Sequence, residues 1–389
     1  MLPPAPDDLS TWLTNHLVPI WAERSIELNQ PGYVEYFNVD GSVPTRLGKT
    51  TLVTARLIYT FSHAHVLQPS EVTLRAAQHG LSFLLDRCRS SNGTFRHSVQ
   101  PDGTAIDERS DLYDLAFVLF ALGWYFRATR ERHVLDVADE LMSFIERELT
   151  HPLGGFKEDT LGTMPRRQNP HMHLLEACHG LAEATSNPQW LKRADNLVGL
   201  MITRLYDSET GSLGEFFAND LSPVPGISGL RREPGHQFEW AWLLYHHSRL
   251  TGGSRVCATA DKMFKFGSQN GFVNSPLPAP IVDAVDRTSD VREPTKLLWP
   301  QTEYIKALCA RVEFLHDKAA LQQMNEHVAL IFKMYLNSQT GFWINQLDSQ
   351  NRAIAAQIPV RVLYHVFLAF AEVSRVKALK SSVLIGAAP

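Results

Sequence analysis

The sequence lacks most of the devices that would mark a metal-thiolate, nucleic-acid-binding or membrane protein. Cysteine is scarce, with Cys88, Cys178, Cys257 and Cys309 far apart and no C-x-x-C pair. That spacing excludes a disulfide framework and a thiolate zinc site, and it fits a reducing compartment. A basic excess is also missing: Lys and Arg total 37 against 41 Asp and Glu, for a formal net charge of −4. A nucleic-acid partner or an anionic membrane surface would normally call for the opposite sign. No uncharged apolar run is long enough to span a bilayer. The start, Met1-Leu2-Pro3-Pro4-Ala5-Pro6-Asp7-Asp8, has no basic segment followed by an apolar core, so a secretory signal is not expected and the cytoplasm is the default location. Glycine-rich phosphate loops and G-x-S-x-G are absent as well.

What the 389 residues do contain is a weak repeat. Gly-aromatic segments recur at Gly32-Tyr33, Gly93-Thr94-Phe95, Gly155-Phe156, Gly214-Glu215-Phe216, Gly271-Phe272 and Gly341-Phe342. The interval is roughly 60 residues, at or just above the range of repeat architectures. Each interval holds two stretches with apolar residues three and four apart, as one helix face requires. One such pair is Val72 to Arg89 followed by Asp111 to Arg130; another is Arg132 to Leu149 followed by His173 to Ala184. Six pairs predict an all-α fold, an (α/α)6 barrel of six helical hairpins, with 1–389 as a single catalytic domain. An open helical solenoid is the alternative. The Pro- and Asp-rich stretch from Asn274 to Pro300 reads as one long functional loop, and the tail from Ser381 as loosely ordered.

Several polar clusters could carry chemistry. Asn169 and His173 are four apart and share a helix face, with His171 pointing elsewhere; the plain alternative is a helix cap at Asn169. Pro234 and Gly235 open a helix with His236 in its first turn and Glu239 three residues on. The positive helix end is expected to lower the pKa of His236 and favour a neutral base; otherwise the two form an exposed His–Glu pair. Trp299, ahead of Pro-Gln-Thr-Glu, is either a sugar-stacking platform or a core aromatic. His365 opens the last long helix, where a lone histidine is commonly structural. Arg56 has strongly apolar flanks and is either inward, needing a partner, or a surface residue. Arg166 and Arg167 could meet an anionic substituent, although a solvated basic pair is the simpler expectation.

Taken together, the chain resembles the N-acylglucosamine 2-epimerase family, which includes cellobiose and mannose 2-epimerases and mannose-type aldose–ketose isomerases. The resemblance runs from about Arg56 to His365. It is carried by T-A-R-x-x-Y-x-F-S, L-Y-D-L-A-F, N-P-H-M-H-L-L-E-A, P-G-H-Q-F-E-W-A-W-L-L, W-P-Q-T-E and Y-H-V-F-L-A. All six in this order are specific.

The resemblance implies an (α/α)6 barrel and assigns roles. His236 and His365 match the two acid/base histidines, and Glu239 the carboxylate that orients the site and helps ring opening. Asn169 and His173 match polar sugar contacts, Arg56 the cation near the reacting oxygens, and Tyr113 and Trp299 aromatic residues lining the pocket. The sequence departs from the family at Leu52, Thr54 and Leu115, where many members carry Trp, Gln and Gln, so an altered pocket wall is expected. The expected activity is aldose–ketose isomerisation of D-mannose and D-fructose or a close analogue, through a cis-enediolate. A sugar 2-epimerase is the alternative. No cofactor or metal is expected, and the partner is a monosaccharide; nucleic acid and membrane are not, and the chain is taken as a monomer or homodimer.

Readings of another class stay open. A glycoside hydrolase on the same barrel would use a carboxylate pair, and no second inward carboxylate is evident from the sequence. A metal-dependent isomerase could take His173, His236 and His365 as ligands. A non-catalytic sugar-binding barrel is the remaining case.

Overall fold

The computed structural model describes residues 2–27, 30–45, 48–272 and 277–386. Six of its helices are apolar on nearly every side. In Thr51–Leu67, everything from Thr51 to Ala64 except Leu52 is buried. A helix buried all round must lie inside. Leu112–Thr129, Asn169–Thr185, Pro234–Thr251, Leu298–Phe314 and Leu363–Gly386 share this character and form the inner wall. Each packs on the next, and the last packs back on Thr51–Leu67, which closes the ring.

The outer wall is amphipathic. In Glu71–Phe83 the buried positions are Thr73, Ala76, Ala77, Gly80, Leu81 and Phe83, spaced three and four apart as one stripe requires. The outer helices span 9–24, 71–88, 133–149, 188–205, Cys257–Asn270 and Lys318–Met334. The result is the expected (α/α)6 barrel.

The pairing differs from the sequence reading in one respect. The covalent hairpin joins an inner helix to the following outer one through a short turn, as at Gln68–Ser70. The pairs read from the sequence straddle instead the long connection from an outer helix to the next inner one. The Gly-aromatic segments sit in those long connections, each just after an outer helix. The hairpin of the last inner helix is completed by the first outer helix, 9–24. Its Trp21 is fully buried, stacks on Trp343 at 4.5 Å and donates from Nε1 to the Gly341 carbonyl at 3.1 Å. Trp21→Ala is therefore expected to destabilise the ring by about 3–5 kcal/mol, measured as a lower urea midpoint.

Short antiparallel strands fix where the inner helices start. Lys49–Thr50 pairs with Ser98–Val99, and Arg166–Arg167 with Phe216–Phe217. Arg231–Arg232 pairs with Ala284–Asp286, and Lys296–Leu297 with Gln346–Leu347. Each leads into the first turn of an inner helix, so all the long connections gather at that end. The stretch from Asn274 to Pro300 is correspondingly not one open loop. Ala284–Asp286 and Val291–Glu293 form an antiparallel pair within it, and Leu298 already begins a helix; residues 273–276 lie outside the described residues. The last helix extends to Gly386, past the expected start of the loose tail at Ser381, and 387–389 lie outside the described residues. Among the described residues, no helix is long and apolar enough to cross a membrane.

Candidate active site

At the strand-bearing end, the first turns of the inner helices surround a cavity of about 360 Å³. Arg56, Tyr113, Asn169, His173, His236, Glu239, Trp299 and His365 all line it. These eight come from six different helices, and each sits within the first two turns. The backbone therefore aims them at one point.

His236 and His365 converge around Trp299, whose ring lies 4.9 Å from the first imidazole and 5.8 Å from the second. Trp299 is half-buried in the cavity wall rather than packed in the core. Gly235 makes this approach possible, because a Cβ there would fall 2.6 Å from the indole.

The surroundings of the two histidines favour different charge states. Burial disfavours the His236 imidazolium, but Glu215 at 2.8 Å and Glu233 at 3.3 Å outweigh it and raise the pKa to about 10. This overturns the expectation of a lowered value. The helix end supplies a partial charge, whereas Glu215 and Glu233 are full charges in contact. The His–Glu pair read as exposed is also buried. For His365, burial, reinforced by Arg56 and Lys306, holds the pKa well below the usual range. Its Nδ1 lies 2.7 Å from Glu303 Oε1. An ionised Glu303 only accepts, and against it the hydrogen sits on Nδ1 and leaves the Nε2 lone pair free.

Arg56 is inward, as one reading of the sequence had it. It is 3% exposed and donates to the Tyr113 hydroxyl at 2.7 Å and the Arg361 carbonyl at 3.1 Å. Its guanidinium lies over Phe117 at 4.2 Å and Tyr364 at 4.9 Å. The partners are a hydroxyl, a carbonyl and aromatic faces, none of which neutralises the charge. His173 contacts Glu176 Oε2 through Nδ1 at 3.0 Å, and burial holds its pKa down to about 3. Asn169 is the first helical residue, not a cap, and its buried Oδ1 has no protein partner. His171 does point elsewhere, accepting the Phe156 N–H at 2.9 Å.

Three further expectations change. Arg166 and Arg167 are not a solvated pair. Arg166 is buried and holds the Gly154 and Phe156 carbonyls at 2.8 and 3.0 Å, while Arg167 binds Glu158 at 2.6 Å and lines the cavity. Of the departing positions only Leu52 reaches the cavity wall. Thr54 bonds back to the Thr50 carbonyl at 2.9 Å, and Leu115 is fully buried in the core. Finally, the inward carboxylates are several: Glu176, Glu215, Glu239 and Glu303 are all buried. Every one touches a histidine or Lys306, an arrangement that tunes imidazoles rather than leaving a free acid/nucleophile pair.

The acidic clusters could also hold a cation. Among the described residues, three sets have ligand atoms within 4.8 Å: His173, Glu176 and Glu239; Glu215, Glu233 and His236; Glu239, Glu303 and His365. The three histidines proposed as joint ligands fall in three different sets. In the third, the Lys306 ammonium already lies 2.6 Å from Glu303 and 3.3 Å from Glu239, where a metal's charge would stand.

Sequence reasoning missed Glu215, Glu303 and Lys306 as site residues. The available signal was charge inside otherwise apolar inner-helix stretches, and a glutamate within a Gly-aromatic segment.

A closed ring of helical hairpins with a polar cavity lined by the first turns of its inner helices defines the class, an (α/α)6-barrel enzyme. The N-acylglucosamine 2-epimerase (GlcNAc 2-epimerase) profile matches residues 32–369, and the chain belongs to that family. It is 31% identical over 373 residues to a mannose-6-phosphate isomerase of Rhizobium meliloti, covering 94% of this chain and 95% of that one. A cellobiose 2-epimerase of Dictyoglomus turgidum is 30% identical over 259 residues, covering 63% and 65%. The crystal structure of a D-mannose isomerase superposes with a TM-score of 0.85 at 22% identity, covering 95% and 99%.

Proposed function

We propose that this protein is an aldose–ketose isomerase that interconverts D-mannose and D-fructose, or a close analogue, by imidazole-mediated proton transfer. The observation that carries this reading is the unequal setting of two histidines in one cavity: Glu215 and Glu233 contact His236 and favour its charge, whereas His365 is buried near Arg56 and Lys306, which oppose its charge. Below about pH 10 His236 has no lone pair to take a carbon-bound proton, so His365 is the carbon base. One base serving one face returns the proton to the neighbouring carbon, which is isomerisation. The relative at 31% identity carries an isomerase name, which agrees.

In this reading His236, with Glu239, moves protons between the ring oxygen and the C1 hydroxyl to open the sugar. His365 Nε2 then removes the C2 proton, which the adjacent carbonyl acidifies. His236 protonates O1, while Arg56 stabilises the enediolate, a donor placed where charge develops being worth about 3–4 kcal/mol; His173, whose Nδ1 hydrogen points at Glu176, accepts from a sugar hydroxyl. His236 takes back the O2 proton, and His365 delivers its proton to C1. Asn169 and Tyr113 bind hydroxyls, and Trp299 covers the apolar face of the sugar.

Proton NMR of D-mannose with the protein in heavy water tests this directly, with mannose 6-phosphate run in parallel. Fructose carrying deuterium at C1 is expected. Glucose carrying deuterium at C2 would overturn isomerisation in favour of epimerisation, with the His236 imidazolium as the second carbon-proton donor.

The charge of His236 gives a pH prediction. A raised pKa means the acid is present below about 10 and lost as pH rises through that value. Glu215→Gln removes the strongest stabiliser of the imidazolium. The alkaline limb of kcat/KM is expected to move toward the ordinary histidine range of about 6.5. An unmoved limb would remove His236 as the titrating acid.

A further inference from the structure

Lys306 is completely buried on Leu298–Phe314, one turn beyond Glu303. Its ammonium lies 2.6 Å from Glu303 Oε2, as an ion pair rather than an aligned hydrogen bond. It donates to Glu239 Oε1 at 3.3 Å and sits 4.3 Å over the Trp242 ring. Glu303 uses its other oxygen, Oε1, to hold His365 Nδ1 at 2.7 Å. A fully buried ammonium and an imidazole that borders the cavity are thus joined through the two oxygens of one carboxylate.

We propose that Lys306 sets the tautomer of His365: it keeps Glu303 anionic, so that Glu303 accepts the Nδ1 hydrogen and the lone pair stays on Nε2, facing the cavity. For catalysis this rests on the reading of His365 as carbon base; the tautomer itself does not.

The surroundings show why one cation decides the matter. Glu303 comes from the same helix as Lys306, Glu239 from Pro234–Thr251 and Glu176 from Asn169–Thr185; all three act on Lys306. Tyr364 and His365 come from the last helix, and Arg56, His173 and His236 are the further charged and titratable groups that act on His365. Burial and the neighbouring Glu239 carboxylate push the Glu303 carboxyl well above the usual carboxylate range, and the Lys306 ammonium, 2.6 Å away, is the strongest influence against them. With the ammonium gone, Glu303 takes one proton from solvent and becomes a donor toward Nδ1. The imidazole hydrogen then resides on Nε2. The protein has gained one proton, and the cavity faces an N–H where it had a base.

The experiment is nitrogen-15 NMR of protein labelled at histidine, with the His365 signals identified by their loss in His365→Asn. Wild type at neutral pH is expected to show the Nδ1–H tautomer. Lys306→Met is expected to show the Nε2–H tautomer and to lose turnover by about 10²-fold, the low end of general-base contributions. Lys306→Gln keeps a hydrogen-bond donor and removes only the charge; it serves if the methionine variant does not fold. A wild-type lone pair on Nδ1 overturns the inference without any variant. A folded variant with an unchanged tautomer overturns it too. A flipped tautomer with unchanged turnover upholds the role of Lys306 and instead removes His365 from the mechanism.

Discussion

His365→Asn is expected to lower turnover of the sugar by about 10²–10⁴-fold while leaving the barrel folded. The carboxamide nitrogen of asparagine can donate to Glu303 from near the place of Nδ1, so the buried carboxylate keeps a partner. What disappears is the Nε2 lone pair, the basic nitrogen aimed at the substrate. Activity and exchange should vanish together: deuterium from heavy water should no longer enter at C1 or C2. Unfolding by urea should stay close to wild type, since the ring atoms that are lost border the cavity rather than the core. Continued exchange in this variant would show that another group takes the carbon proton, and His173, also neutral and buried in the same wall, would be the next to test.

Arg56→Met is expected to reduce kcat by about 10²–10³-fold, the loss seen when one oxyanion donor is removed, with a smaller change in KM. Arg56 is fixed by Tyr113, the Arg361 carbonyl and two aromatic faces. Because none of these is a carboxylate, the positive charge stays available for an oxygen that becomes negative during the reaction. An interaction stronger in the transition state than in the ground state appears in kcat. Arg56→Lys should not rescue it, since an ammonium cannot reproduce the planar fork that lies over the Phe117 and Tyr364 rings. A variant whose KM rises while kcat holds would make Arg56 a simple binding residue.

The ring was legible in the sequence because the Gly-aromatic segments recur six times and the helical stretches keep their period. The short strands were not, since two residues cannot display an alternation of period two. The site residues read from the motifs all reached the cavity, because each lies in the first turns of an inner helix and those turns share one end of the barrel. The charge of His236 was misread for a physical reason. Its local helix start argues for a neutral ring, but Glu215, which decides the matter, lies 21 positions earlier and arrives through the Arg166–Arg167 and Phe216–Phe217 strand pair. The partnership of Glu303 and Lys306 with His365 likewise depends on two neighbouring inner helices meeting. No spacing along the chain encodes that meeting.

The pairing of helix 9–24 with the last inner helix bears on how the protein is made. About 340 residues separate the two, so at ordinary elongation speeds of roughly 5–20 residues per second the first helix waits on the order of 15–70 s for its partner to leave the ribosome. Through that interval Trp12, Leu13, Leu17 and Trp21 have no ring to close against, and the nascent chain presents a sticky apolar stripe. Biogenesis is therefore the moment at which this protein most needs a chaperone, and a chain stalled before the last helix would hold Arg56 and His236 yet lack His365.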